Sequence, residues 1–303
     1  MDILCVADLC MDLIVSGNVV PQFHQIEQMV DDYAVELGGS ATIFASQFAK
    51  LGGKVGLLGA VGEDVFGKSL YEGLEAVGVD MRRVTRPPGM KTGLGLALVK
   101  PDGDRATLTY SGTIDATPPE ALTDDLLTAC RHWHHASLFL LNRLRGHWKP
   151  WLQRCKAAGL TVSMDTNWDP ENRWEGVHDL LPLVDVFLPN EAEALAISGA
   201  ADVEEAGKRL AEFGPLVVVK RGGDGATAFH KGQRWHIAAT EGANGPINVV
   251  DAVGAGDNFD AGFVRAWLLG KDVPACLLLG TRCACASLGV SGGVRGQLQE
   301  RIE

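Results

Sequence analysis

Short apolar runs alternate along this chain with stretches whose apolar residues recur every three or four positions. Residues 3–7 read as a buried strand, and residues 39–51 as a helix with Ile43, Phe44, Phe48 and Leu51 on one face. A strand at 55–58 and a helix at 66–77 follow. Further short β-rich runs lie at 137–141, 161–164, 184–188 and 216–219, separated by helical stretches at 147–158, 191–197 and 203–213. Strands alternating with helices predict an α/β fold whose central, mainly parallel sheet is covered by helices. No repeat and no low-complexity linker interrupts the pattern, so residues 1–303 read as a single domain.

Two stretches, at about 13–36 and 91–115, break the alternation. In the second, Pro101-Asp102-Gly103-Asp104 stands between two strand-like arms, which is a hairpin signature. These pieces predict a small separate sheet. It would serve as a lid over a ligand site or as a contact between two copies of the chain.

Composition narrows the class. The hydrophobic fraction is 46% and mean hydropathy is near zero, as in ordinary globular proteins. The net charge of −11 argues against nucleic acid, whose binding rests on Lys and Arg neutralising phosphates. No run approaches the roughly 20 apolar residues of a membrane helix, and the acidic N-terminus does not read as a signal peptide. Seven cysteines without a Cys-x-x-Cys pair suit free thiols in a reducing cytoplasm. The run Arg131-His132-Trp133-His134-His135 reads as a polar edge leading into the strand at 137–141 rather than as a metal site.

The chemistry concentrates in Asp251-Ala252-Val253-Gly254-Ala255-Gly256-Asp257-Asn258-Phe259. Phe259, Phe263, Ala266, Trp267 and Gly270 give this segment a helix with one buried face, so residues 254–256 fall at a helix N-terminus. Unpaired N–H groups and the positive dipole end gather there, and small residues let an anion approach. Asp257 is then a carboxylate beside an anion cradle, suited to act as general base toward a phosphoryl acceptor. Other polar residues follow strand runs: Asp8, Asp12, Asn142, Asp165, Asn167, Asn190, Glu191, Glu193, Lys220 and Arg221. In an open parallel sheet that is where ligands bind.

Taken together, these residues resemble the ribokinase-like (PfkB) carbohydrate kinases over essentially the whole chain. The segment from Asp251 to Gly262 resembles that family's second signature, and Gly38-Gly39 with Ala45, Leu51-Gly52, Gly56, Gly59, Gly62, Asp64 and Gly67 resembles the first. Asn190-Glu191-Ala192-Glu193 looks like its Asn-x-x-Glu, and Lys220-Arg221-Gly222-Gly223-Asp224-Gly225 like its nucleotide-side glycine turn. The resemblance implies an ATP-dependent kinase acting on a hydroxyl of a small sugar-like acceptor. It implies Asp257 as base and the backbone of Gly254, Ala255 and Gly256 as anion hole. Asn190 and Glu193 would organise Mg²⁺ through water, and Lys220, Gly222 and Gly225 would border ATP. Asp12, Gly38, Gly39, Ile43 and Arg105 would surround the acceptor, and Asp251 would belong to a K⁺-type site.

Two positions depart from the pattern. Ala252 stands where the family has a threonine, removing a hydroxyl near the phosphates. Ile43 stands where the family usually has an asparagine that touches the sugar, which makes the acceptor pocket more apolar. A nucleoside kinase, with Phe23 contacting the base, is therefore the alternative within the fold. A catalytically weak sugar- or nucleotide-binding regulator is the alternative outside kinases, and the intact 254–257 segment counts against it. A dinucleotide-dependent oxidoreductase would need glycines after the first strand, where Asp8-Leu9-Cys10-Met11-Asp12 stands instead.

Overall fold

The computed structural model describes residues 1–303 except Gly103, Asn244, Pro246 and Asn248. Among the described residues thirteen strands are formed: β1 Ile3–Val6, β2 Cys10–Ser16, β3 Asp32–Gly38, β4 Val55–Ala60, β5 Asp80–Thr85, β6 Gly93–Val99, β7 Arg105–Tyr110, β8 His132–His135, β9 Thr161–Met164, β10 Val186–Phe187, β11 Leu216–Lys220, β12 Ala226–His230 and β13 Gln233–Ile237. Nine make one sheet in the order β13-β12-β11-β10-β9-β8-β1-β4-β5. From β5 to β11 every pairing is parallel, and β12 and β13 extend the edge antiparallel.

Parallel strands this deep must be apolar on both faces, because helices cover both. The residues of β1 and β4 are buried throughout. One core contains Phe44, Phe48, Phe259 and Phe263 from helices Ser40–Lys50 and Ala255–Leu268, with Leu57 from β4. The other contains Trp133, Trp148, Trp151, Val162 and Phe187. Helix Ala255–Leu268 differs from the one-faced helix expected. Residues 258–266 are all buried, Asp260 and Arg265 included, while Gly270 is exposed. No helix among the described residues is long and apolar enough to cross a membrane.

The strand expected at 137–141 is displaced. The pairing residues are His132–His135 in β8, and Ser137, with φ 54°, turns the chain out of the sheet. Three histidines tolerate a buried strand because each is held as a neutral ring. His132 hydrogen-bonds Thr161 Oγ1 and Ser163 Oγ at 2.8 and 2.7 Å, and His134 bonds Ser163 Oγ at 2.8 Å. His134 also stacks on Phe44 at 3.7 Å, and His135 packs edge-on against Trp148. Polarity alone misread them as an edge.

The second sheet has the order β3-β2-β6-β7. The β6–β7 hairpin forms as expected, with Lys100 N donating to Asp104 O, although Gly103 of its turn lies outside the described residues. Register separates its two faces. Cys10, Asp12, Ile14, Gly95, Ala97, Arg105, Thr107 and Thr109 share one face. Met11, Leu13, Val15, Tyr33, Val35, Leu37, Leu94, Leu96, Leu98, Ala106, Leu108 and Tyr110 share the other, where every side chain is apolar or aromatic.

Candidate active site

The order of strands reverses between β1 and β8, and that switch point is where an open α/β sheet holds its ligand. Asp8 leaves β1 there and Ser137 follows β8. Ser137 Oγ donates to Asp8 Oδ2 at 2.6 Å across the gap. Asp8 also accepts from Ser40 N and Ala41 N, both at 3.0 Å, which fixes the start of helix Ser40–Lys50. Asn167 Oδ1 accepts from Ser137 N, and its Nδ2 donates to Ser40 Oγ at 2.7 Å. Ser40 in turn faces Asp257 across one cavity. Sequence reading singled out Asp8 and Asn167 only as strand-end residues; Ser40 and Ser137 gave no signal, because a serine at a turn is ordinary.

Gly254 opens helix Ala255–Leu268 at φ 71°, a conformation that favours glycine. A Cβ there would also lie 2.8 Å from Ile43 Cδ1 and 2.9 Å from Gly293 Cα. Ala255 N turns to Ala252 O at 3.3 Å, and the helix ladder begins with Asn258 N donating to Gly254 O at 2.9 Å. The N–H groups of the first turn otherwise point out of the helix, free to take an anion. Asn258 Nδ2 ties Gly254 O and Gly293 O together, and Gln297 secures Asn258 from behind. Asp251 accepts from Val253 N and Gly292 N, both at 2.9 Å, so it ties this loop to residues 291–293. Each of its oxygens keeps a second lone pair.

Two cavities meet at this turn. The first, about 290 Å³, is lined by Asp12, Gly39, Ile43 and Arg105 with Gly254 and Asp257. The lid adds Thr107 and Thr109, which sequence reading missed; they follow Arg105 at strand spacing on the same face. Gly38 serves this cavity indirectly. A Cβ at Gly38 would meet the Asp12 carboxylate at 2.4 Å, and one at Gly95 would meet it at 2.5 Å, so both glycines make room for that acid. Ile43 is buried and packs beneath Gly254 as well as lining the cavity. Phe23 lies elsewhere: it is 81% exposed and does not line the cavity.

The second cavity, about 270 Å³, is lined by Gly222, Gly223, Gly225, Ala252, Ala255, Gly256 and mostly apolar residues around them. Gly225 sits at φ 86° with Ile237 O where a Cβ would be. Lys220 lines this cavity too, with its ammonium paired to two carboxyl groups. It is held at 2.7 Å from Asp165 Oδ2 and 3.0 Å from Asp260 Oδ2. Its side chain thus borders the second cavity while its ammonium is engaged by two acids.

Burial and the Asp165 charge push Asp257 up to about 8, against the opposing pull of Lys220. Burial, with the charge of Asp8, raises Asp12 to about 6. Asn190 and Glu193 form a reciprocal cap on helix Glu191–Ser198: Asn190 Oδ1 accepts from Glu193 N and Glu193 Oε2 from Asn190 N. Burial, with the Asp165 charge, raises Glu193 to about 7. With those two oxygens engaged, the pair offers a hydrated hard cation one carboxylate oxygen rather than a closed ligand set, which fits Mg²⁺ held through water. Asp165, Asp257 and Asp260 also lie within 4.8 Å of one another. The Lys220 ammonium already sits against two of them, so a second cation there would be repelled.

The chain is similar to known proteins in sequence and fold. The pfkB family carbohydrate kinase pattern matches residues 1–300. An ATP-dependent ribose-1-phosphate kinase from Halopiger xanaduensis is 31% identical over 84% of this chain and 81% of its own length. A cytidine kinase from Thermococcus kodakarensis is 29% identical over 89% of this chain and 93% of its own. The ribokinase of Arabidopsis thaliana, solved with ribose and ATP, shares the fold with a TM-score of 0.82 at 23% identity, covering 98% of this chain and 95% of that one. The chain belongs to the pfkB family of carbohydrate kinases.

Proposed function

We propose that this carbohydrate kinase transfers the γ-phosphoryl group of ATP to a hydroxyl of a small sugar-like acceptor across the 254–257 turn. One observation carries the reading: the turn is the wall between the two cavities. Gly254 and Asp257 line the first, and Ala255 and Gly256 line the second. An acceptor in the first and ATP in the second would meet at the helix N-terminus.

In this reading Asp257 takes the hydroxyl proton as the new O–P bond forms. The bond between the γ-phosphorus and the bridging oxygen breaks, and ADP leaves. N–H groups of Gly254, Ala255 and Gly256 hold the transferring oxygens, whose charge is greatest midway. Mg²⁺ would neutralise phosphate charge. Asn190 and Glu193 would hold it through water, and Lys220, Gly222 and Gly225 would border the nucleotide. Asp12, Gly38, Gly39, Ile43 and Arg105 shape the acceptor site, and Asp251 is the position for K⁺. Replacing K⁺ by Na⁺ in the assay tests the last point: unchanged kcat and KM remove the cation role from Asp251.

A nucleoside acceptor is the second reading. It draws on the apolar wall of Ile14, Ile43, Ile114 and Leu140 in the first cavity. An ATP-consumption screen over sugars, sugar acids, polyols and nucleosides separates the two. The leading reading expects turnover with a sugar-type acceptor, and turnover with nucleosides alone overturns it.

The apolar lid face supports a homodimer. Tyr33, Val35, Leu108 and Tyr110 are 69, 39, 61 and 53% exposed. These four alone uncover on the order of 500 Å² of the roughly 800 Å² per partner in a standard interface. The same face on a second copy is the occupant that completes it.

A further inference from the structure

Beneath the 254–256 turn lies a charged cluster that the reaction as written does not use. Lys220 reaches it from the end of β11, Asp165 from the end of β9, and Asp260 from one turn into the catalytic helix. Asp165 and Asp260 are 4 and 1% exposed. Lys220 Nζ bonds both carboxyls, and a Cβ on Gly256 would sit 3.3 Å from it, so the ammonium lies directly under the turn. Lys220 and Asp165 are held in their charged forms, and Asp260 is pushed well up toward its neutral form by burial. The cluster then carries one ammonium, one carboxylate and one carboxylic acid, with no net charge.

Asp257 lies within 4.8 Å of Asp165 and Asp260. The other groups facing it are Lys220, Asp8 from β1, and the Ser40 hydroxyl. Asp8 is spent on two backbone N–H groups and Ser137. Among the cluster, only a change in Lys220 or Asp165 alters the number of charges beside Asp257.

We propose that Lys220, Asp165 and Asp260 are positioning residues whose charge neutrality sets the protonation of Asp257, and with it the pH range of phosphoryl transfer. The inference rests on Asp257 being the base. Taking away the ammonium leaves a net negative cluster and holds the proton on Asp257. Taking away the Asp165 charge leaves a net positive cluster and releases it. Asparagine at 260 is isosteric with the neutral acid and changes no charge.

The test is the acid limb of kcat/KM in three variants. Lys220→Met is expected to move the limb alkaline by about one pH unit or more, since one unit is tenfold in proton affinity. Asp165→Asn is expected to move it acid by a similar amount, and Asp260→Asn to leave its position unchanged even where kcat falls. Limbs that stay together in all three overturn the proposal, as does an acid shift in Asp260→Asn. If Lys220→Met does not fold, the Asp165 and Asp260 variants still decide. A second readout is independent of catalysis: the melting-temperature difference between Asp257→Asn and its parent, followed with pH in each background. If that difference shifts with the cluster charge while Asp257→Asn keeps turnover, the base role fails and the coupling stands.

Discussion

The base role proposed for Asp257 combines two demands that pull against each other. A general base must shed its proton, yet burial and Asp165 hold it at about 8. The free enzyme should therefore show kcat/KM rising with pH to a plateau above about 8. A limb near the ordinary carboxylate range would remove the perturbation. The linkage sign is also fixed. A raised folded-state pKa means that the native protein binds more protons than the unfolded chain between about 4 and 8, so stability falls as pH rises through that window. Asp257→Asn should melt higher than the parent at pH 9 and nearly level with it at pH 4; equal gaps at both would contradict the burial of charge. Gly254→Ala should lose both stability and activity, by about 1 kcal/mol or more, because it meets Ile43 and Gly293 at a left-handed φ. The 254–257 segment was legible as a helix start because Phe259, Phe263 and Ala266 mark the buried face of the helix it opens. The role of Lys220 was not, since its partners Asp165 and Asp260 lie 55 and 40 residues away.

At the scale of elements, β8 is the least expected strand. Its three histidines are buried; burial pushes His134 and His135 down to about 3 and His132 well below its usual value. The unfolded chain protonates them near 6.5, so between roughly 3 and 6.5 it binds more protons than the native state. Stability is thus present at neutral pH and lost as pH falls below about 6.5, at roughly 1 kcal/mol per pH unit for each ring. His135→Phe, which removes two unpartnered ring nitrogens, should gain more in urea midpoint at pH 5 than at pH 8. An equal gain at both would mean the ring is not held neutral. Patterning found most of the helices and parallel strands because their apolar periods are long. It missed β8 because neutral imidazoles that stack on Phe44 and Trp148 behave as core residues while counting as polar.

At the scale of the molecule, the lid sheet uses its two faces differently, one toward the first cavity and the other fully apolar. Light scattering should report a dimer, and Leu108→Lys should shift it toward monomer; a monomeric parent would leave the apolar face to some other role. The fold and the turn were legible because both are written in local pattern. Acceptor identity was not, because it depends on how β2, β6 and β7 converge with the switch point to frame Asp12, Arg105, Thr107 and Thr109. The account as a whole depends on chemistry passing through the turn between the cavities. Its most direct test is turnover of Asp257→Asn with an acceptor found for the parent enzyme. The account predicts kcat lower by about 10²–10⁴-fold with the KM for ATP nearly unchanged, the scale of a lost general base. Turnover close to that of the parent would contradict it.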